Sequence, residues 1–289
     1  MHTRYSALVC LAVIGLLGGL APFGQETSPV SPARDQTQQF TNSAPYSSEA
    51  QITRHFGYKV PLPEYDISAE RFRVILPKPE DTNEAWGLLV WISAENNAQV
   101  NEDLVAQLAA HRVLLVSPLK SGNDRHPLDR FRLALDAVCN MSRMYSVDPK
   151  RIYVGGFSGG SRIASMLGVA YGDLFTGTLC ICGVNSYLEV QVPGGEEYSA
   201  TFSPDPGALA RAKQVGHFAL VTGETDPNRP GTKVLAQTAF RQQGFKHVLY
   251  LEVAGMGHAI PGTMSLKQAL DFLEPGANPR SQIPPPLKQ

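Results

Sequence analysis

Cysteine is scarce: the chain has four in 289 residues. One of these, Cys10, lies in an apolar N-terminal run, so a disulfide-framework domain is excluded. No Cys/His spacing of the zinc type is present, and no metal site is expected. Excess charge is also lacking. Twenty-five basic residues face 26 acidic ones, a net charge of −1, with no basic run. Nothing in that balance supports nucleic acid or an anionic membrane surface as a partner. No apolar stretch reaches the length of about 20 residues that a confident membrane span needs. No internal repeat is seen. What remains, 43% hydrophobic and 18% charged, describes an ordinary globular protein with one large domain or two small ones.

The ends stand apart from the rest. His2 and Arg4 precede an apolar run from Ala7 to Ala21. Residues 1–24 therefore read as a secretory signal peptide, with a secreted or periplasmic destination and no stable membrane insertion once it is removed. An uncleaved anchor is the alternative. Pro22 disfavours a cut after Ala21. Residues 25–51 are rich in Ser, Thr, Gln and Pro and read as a disordered linker. The folded domain is expected over 52–275, followed by a Pro-rich tail over 276–289. Cys139, Cys180 and Cys182 read as small buried hydrophobes. Cys180 and Cys182, two apart on one strand, face one side and do not bridge each other. A bridge from Cys139 to either is the alternative.

Within the domain, strands alternate with helices. Arg71–Leu76, Gly87–Ser93, Val113–Ser117, Arg151–Phe157, Thr178–Gly183, His217–Thr222 and His247–Val253 read as strands. The second and third are nearly continuous apolar runs, which suits strands buried on both faces. Asn101–His111, Pro127–Tyr145, Ser161–Tyr171 and Lys233–Gln243 read as helices, with Pro127 in a first turn. This order predicts an α/β fold: a mostly parallel central sheet with helices on both faces. Ligands bind such sheets beyond the carboxyl ends of the strands.

One strand-to-helix junction is chemically loaded. Gly156-Phe157-Ser158-Gly159-Gly160 places Gly-x-Ser-x-Gly between an apolar strand and a helix. At average residue usage the pattern occurs by chance in roughly one chain in ten of this length, so its context decides. Small neighbours let strand and helix pass closely and push the Ser158 hydroxyl over the sheet edge. The bland reading is a Gly-rich turn. A dinucleotide loop is disfavoured because no acidic residue ends the next strand, and no cofactor is expected.

Three segments together resemble the α/β-hydrolase superfamily from about Arg71 to Leu273: Gly155–Gly160, Thr222–Pro227 and Gly255–Pro261. Serine, then acid, then histidine is the order that superfamily uses. Within it the chain is most similar to secreted esterases of the polyhydroxybutyrate depolymerase and feruloyl esterase-like group. The resemblance implies an α/β-hydrolase fold with no large cap. It implies Ser158 as nucleophile, His258 as base and Asp226 as the acid that orients it, with Glu224 as competitor. The bland readings are a turn histidine and a turn carboxylate. His126 is on the correct side of the sheet but reads better as a surface residue. The oxyanion hole would use the Gly159 N–H and a backbone donor at Ser93 or Ala94. Many members carry His-Gly there; here the loop reads Trp91-Ile92-Ser93-Ala94-Glu95-Asn96-Asn97. Asn96 and Asn97 are candidate substrate contacts, with a solvated loop as the default. Asn185, Tyr187 and the turn Pro193-Gly194-Gly195 are expected to shape the substrate pocket in an open cleft. The expected partner is a small-molecule or polymeric ester. A catalytically weak binding protein on the same fold and a serine peptidase are the competing readings.

Overall fold

The computed structural model describes residues 34–58, 63–77, 84–191 and 197–276. The signal-peptide reading, the first part of the linker, the Pro193-Gly194-Gly195 turn and the tail beyond Gly276 lie outside them.

Eight strands form one sheet: β1 (Arg34–Gln38), β2 (Phe72–Leu76), β3 (Trp86–Ile92), β4 (Val113–Pro118), β5 (Val147–Phe157), β6 (Gly177–Ile181), β9 (His217–Gly223) and β10 (His247–Val253). Their order across the sheet is β1-β2-β4-β3-β5-β6-β9-β10. Strand β2 runs antiparallel to β1 and β4, and every other pairing is parallel. The mostly parallel sheet expected from alternating elements is present. A separate two-stranded ribbon joins β7 (Val190–Gln191) to β8 (Glu197–Tyr198).

Side-chain alternation divides the core. On β3, Leu88, Val90 and Ile92 face one cluster, while Leu89 and Trp91 face the other. The first cluster is covered by α1 (Glu49–Phe56), α3 (Pro127–Met144), α4 (Gly159–Ala170), α5 (Pro206–Val215) and α6 (Arg229–Leu235). The second is covered by α2 (Glu102–Ala110) and α7 (Thr263–Leu273). Each large apolar side chain buried this way contributes about 1.5–3 kcal/mol. The near-continuous apolar runs of β3 and β4 follow from burial on both faces.

Local signals set the helix ends. The Asn101 carboxamide accepts from the Leu104 N–H at 2.9 Å and starts α2. Pro127 opens α3, where its missing N–H costs no helical bond. His126 caps that helix, its Nδ1 accepting from the Leu128 N–H at 3.3 Å. Strand β5 begins earlier than expected, at Val147. The Asp148–Lys150 segment is absorbed by a register shift opposite Trp86–Leu88, which accommodates the proline without a ladder bond. The predicted helix over 233–243 starts earlier as α6, then continues through one π turn (Ala236–Phe240) and a short 3₁₀ turn.

The linker reading of 25–51 is corrected for its described part. Residues 34–38 form β1, Pro45–Ser47 form a 3₁₀ turn, and α1 begins at Glu49. The physical reason is Asp136, wholly buried on α3. Its carboxylate accepts from the Ala44 N–H at 2.6 Å, the Ser47 hydroxyl at 2.7 Å and the Tyr65 hydroxyl at 2.8 Å. A composition that reads as solvated is here drawn onto a buried carboxyl group.

Cys139, Cys180 and Cys182 are free thiols. Cys182 does not share the face of Cys180. It follows the end of β6, takes φ 58° and turns into the opposite core cluster. Among the described residues no helix is long and apolar enough to cross a membrane.

Candidate active site

Strand β5 ends at Phe157 and α4 starts at Gly159, so Ser158 is the whole connection. It adopts φ 56°, ψ −118°, a strained conformation for a residue with a Cβ. Its N–H is held by the Ile181 carbonyl at 2.9 Å. The tight crossing beneath it requires glycine. A Cβ on Gly160 would stand 1.8 Å from the Ile92 carbonyl oxygen, and one on Gly156 would stand 2.5 Å from Gly160. As the first residue of α4, Gly159 has an N–H with no intrahelical partner, at the positive end of the helix.

Two other strand ends supply the partners of Ser158. Asp226 follows β9 and is 3% exposed. His258 lies in the loop after β10, which turns through Gly255 at φ 68°. The Ser158 hydroxyl donates to His258 Nε2 at 2.9 Å, and His258 Nδ1–H donates to Asp226 Oδ1 at 2.8 Å. A carboxylate facing Nδ1 fixes the proton there and leaves Nε2 free to accept. The Phe157 ring packs on the imidazole, with centroids 4.8 Å apart. Burial alone would push the Asp226 carboxyl up. Hydrogen bonds from the Asn228 N–H, the Cys182 thiol, His258 and the Thr222 hydroxyl outweigh it and hold the pKa below the usual carboxylate value. Glu224 is exposed and accepts from the Gly255 N–H at 2.8 Å, so it shapes the histidine loop from outside the relay.

The relay opens into a cavity of about 440 Å³ lined by Ser93, Ala94, Asn123, Ser158, His258 and Ile260, among others. Ser93 and Ala94 therefore border the serine where the second oxyanion donor was expected. Their loop is stitched to the loop after β4. The Ala94 carbonyl accepts from the Asn123 N–H at 2.9 Å. Asn96 accepts from the Gly122 N–H at 2.8 Å and donates to Asp124 at 2.9 Å. Asn96 thus joins two loops and is engaged within the protein. Behind both loops lies Arg130, 4% exposed, whose Nη2 donates to the Ser93 carbonyl at 3.1 Å.

Two expected substrate contacts are corrected. Tyr187 is buried in the core, its ring 6.3 Å from that of Phe202 and 6.2 Å from that of Phe245. Asn185 is engaged by Arg162 Nη1 at 3.4 Å and by the Ser165 hydroxyl, which accepts from its N–H at 2.9 Å. Neither lines the cavity at Ser158, because the chain leaving β6 turns down against α4. His126 caps α3 and does not line the cavity either. Asn123 and Arg130 were not singled out by sequence. Their only signal is position after β4, and that becomes meaningful once the β3 and β4 loops are seen to touch.

Cys182, Asp226 and His258 bring ligand-type atoms within 4.8 Å of one another. The carboxylate and the imidazole are already bonded to each other, and burial pushes the thiol up to about 12. This set favours the relay over a metal ion. A larger cavity of about 540 Å³, around Tyr46, Arg54, His55 and Arg211, contains no serine or cysteine. Its His55 is committed to the Ala170 carbonyl at 2.6 Å.

No protein-family model and no curated protein matches the sequence. Solved structures do match the fold. S-formylglutathione hydrolase FrmB of Staphylococcus aureus aligns with TM-score 0.52 at 13% identity, over 71% of this chain and 93% of that one. The fluorophosphonate-binding serine hydrolase FphF of Staphylococcus aureus aligns with TM-score 0.53 at 12% identity, over 84% and 99%. The feruloyl esterase module of Clostridium thermocellum gives 0.52 at 12%, over 85% and 89%. With its strand order, its serine at the β5–α4 turn and these structural neighbours, the chain has the α/β-hydrolase fold.

Proposed function

We propose that this protein is an exported serine hydrolase that cleaves carboxylic esters through an acyl-enzyme. The observation that carries the reading is the continuous relay from the Ser158 hydroxyl through His258 to Asp226, at 2.9 Å and 2.8 Å. Ser158 Oγ attacks the ester carbonyl as His258 Nε2 takes its proton, and the carbonyl π pair moves to oxygen. Asp226 stabilises the resulting imidazolium. The oxyanion lies at the α4 N-terminus, facing the Gly159 N–H and the Ser93–Ala94 loop. The carbon–alkoxy bond then breaks, and His258 gives its proton to the departing alcohol. Water repeats the sequence on the acyl-enzyme and restores the serine.

The neighbours' names support an ester among acyl substrates, and the resemblance to polyhydroxybutyrate depolymerase and feruloyl esterase-like enzymes points the same way. The open cavity, with Val100, Phe157 and Ile260 on its walls, suits a compact apolar group beside the reacting carbonyl. In this reading the protein hydrolyses p-nitrophenyl acetate, and Ser158→Ala abolishes that activity while leaving the circular dichroism spectrum intact. Wild-type rates in Ser158→Ala would refute it. An inert wild type would favour the non-catalytic binding protein. Export rests on the N-terminal apolar run. Sequencing the protein from an extracellular or periplasmic fraction is expected to show a start near residue 25, and an intact Met1 in a cytoplasmic fraction would contradict export.

A further inference from the structure

Asn123 stands against the nucleophile turn. A Cβ on Gly159 would fall 1.9 Å from Asn123 Oδ1 and 2.9 Å from Asn123 Nδ2, so the carboxamide packs on the Gly159 Cα with its oxygen the nearer atom. The same side chain borders the cavity that holds Ser158 and His258. Its Oδ1 accepts from Arg130 Nη1 at 3.5 Å, and its backbone N–H is anchored on the Ala94 carbonyl. The amide orientation follows from chemistry. A guanidinium can only donate, so the oxygen must face Arg130 and the NH₂ must face away from it. Among the described residues, Nδ2 has no protein acceptor.

Arg130 is unusual in its own right. It is 4% exposed, forms no ion pair among the described residues, and its Nε is buried without a partner. Burial pulls its pKa down to about 10, with Asp124 opposing, so the group stays charged at neutral pH. A buried cation without a carboxylate is costly to a fold. Its two hydrogen bonds go to the Ser93 carbonyl and the Asn123 carboxamide, the two loops that border the serine.

We infer that the Asn123 carboxamide Nδ2–H is an oxyanion donor beside the Gly159 N–H, with Arg130 as the positioning residue that turns the amide and adds its charge to the site. The assignment rests on the ester-hydrolase reading. It also explains how the chain does without the His-Gly pair at the loop after β3. A side-chain amide reaching from the loop after β4 adds a donor for the growing negative charge, next to helix α4.

The test compares kcat and KM on p-nitrophenyl acetate with the Ki of a trifluoromethyl ketone, whose serine hemiketal carries the oxyanion. Asn123→Ala is expected to lower kcat by about 10²- to 10³-fold, the effect of losing one oxyanion donor. KM should change little, and the Ki should weaken in parallel with kcat. Asn123→Asp is the second variant. Its carboxylate pairs with Arg130, so melting temperature is held or raised, yet it presents an acceptor to the oxyanion and kcat falls at least as far. Arg130→Gln should lower kcat and weaken the inhibitor together, and Arg130→Lys should recover part of both. Asn123→Ala and Asn123→Asp at the wild-type kcat would overturn the inference and leave the ester-hydrolase reading intact. A fall in kcat with an unchanged Ki would also overturn it. A wild type inert to ester and ketone alike would remove both.

Discussion

At Ser158 the backbone holds φ 56° and ψ −118°, a state that costs on the order of 1–3 kcal/mol. That strain is sustained by the Ile181 carbonyl and by glycines that no other residue can replace at the crossing. This junction was legible because chemistry and sterics both leave marks in sequence: serine at the apex, glycines where backbones touch. Asp226 was legible by its place after a strand, and Glu224 was separable only in part. The structure distinguishes them by burial, since Asp226 is buried and receives hydrogen bonds from Thr222, Asn228 and His258, whereas Glu224 is exposed. Asp226→Asn is therefore expected to lower kcat by about 10⁴-fold through loss of imidazolium stabilisation and of the required tautomer. Glu224→Gln should leave kcat near wild type. Steady-state kinetics on the two variants checks this, and the reverse pattern would contradict it. Asn123 and Arg130 left no mark, because their meaning depends on contact between loops distant in sequence.

Among the elements, β3, β4, α2 and α3 were legible because burial on two faces writes apolar runs and because Asn101 and Pro127 are strong helix starts. Strand β1 was not. Its residues Arg34-Asp35-Gln36-Thr37-Gln38 are all polar, since it is an edge strand bonded only to β2. Helix α1 is one short element with Ile52 and Phe56 as its apolar anchors, too few for a period. What ties this N-terminal region to the domain is the Asp136 carboxylate. Burial raises its pKa above the ordinary value, although the bonds from Ala44, Ser47 and Tyr65 oppose the rise. The native state therefore binds this proton more tightly than the unfolded chain. Its contribution is fully present below the unfolded value of about 3.9 and declines as pH rises through the higher native value. Urea unfolding of wild type and Asp136→Asn should show the wild-type advantage shrinking as pH rises from about 4 towards neutrality. An advantage that grows over the same range would contradict the assignment.

Over the whole molecule, one sheet separates two apolar clusters and brings three strand ends to one rim. The architecture could be anticipated because alternating strands and helices admit few topologies. The convergence of Ser158, Asp226 and His258 was legible for the same reason: residues after β5, β9 and β10 must share that rim. The pocket walls were not. Tyr187 and Asn185 follow β6 on the same edge, yet their chain folds down into the core, and local sequence carries no record of that direction. The central claim is that Ser158 is a nucleophile activated at this rim. It is tested most directly by treating the folded protein with a fluorophosphonate and mapping the adduct by peptide mass spectrometry. The account predicts a single phosphonylated site at Ser158 that is lost in His258→Ala. An unmodified wild type, or modification at another residue with Ser158 untouched, would contradict it.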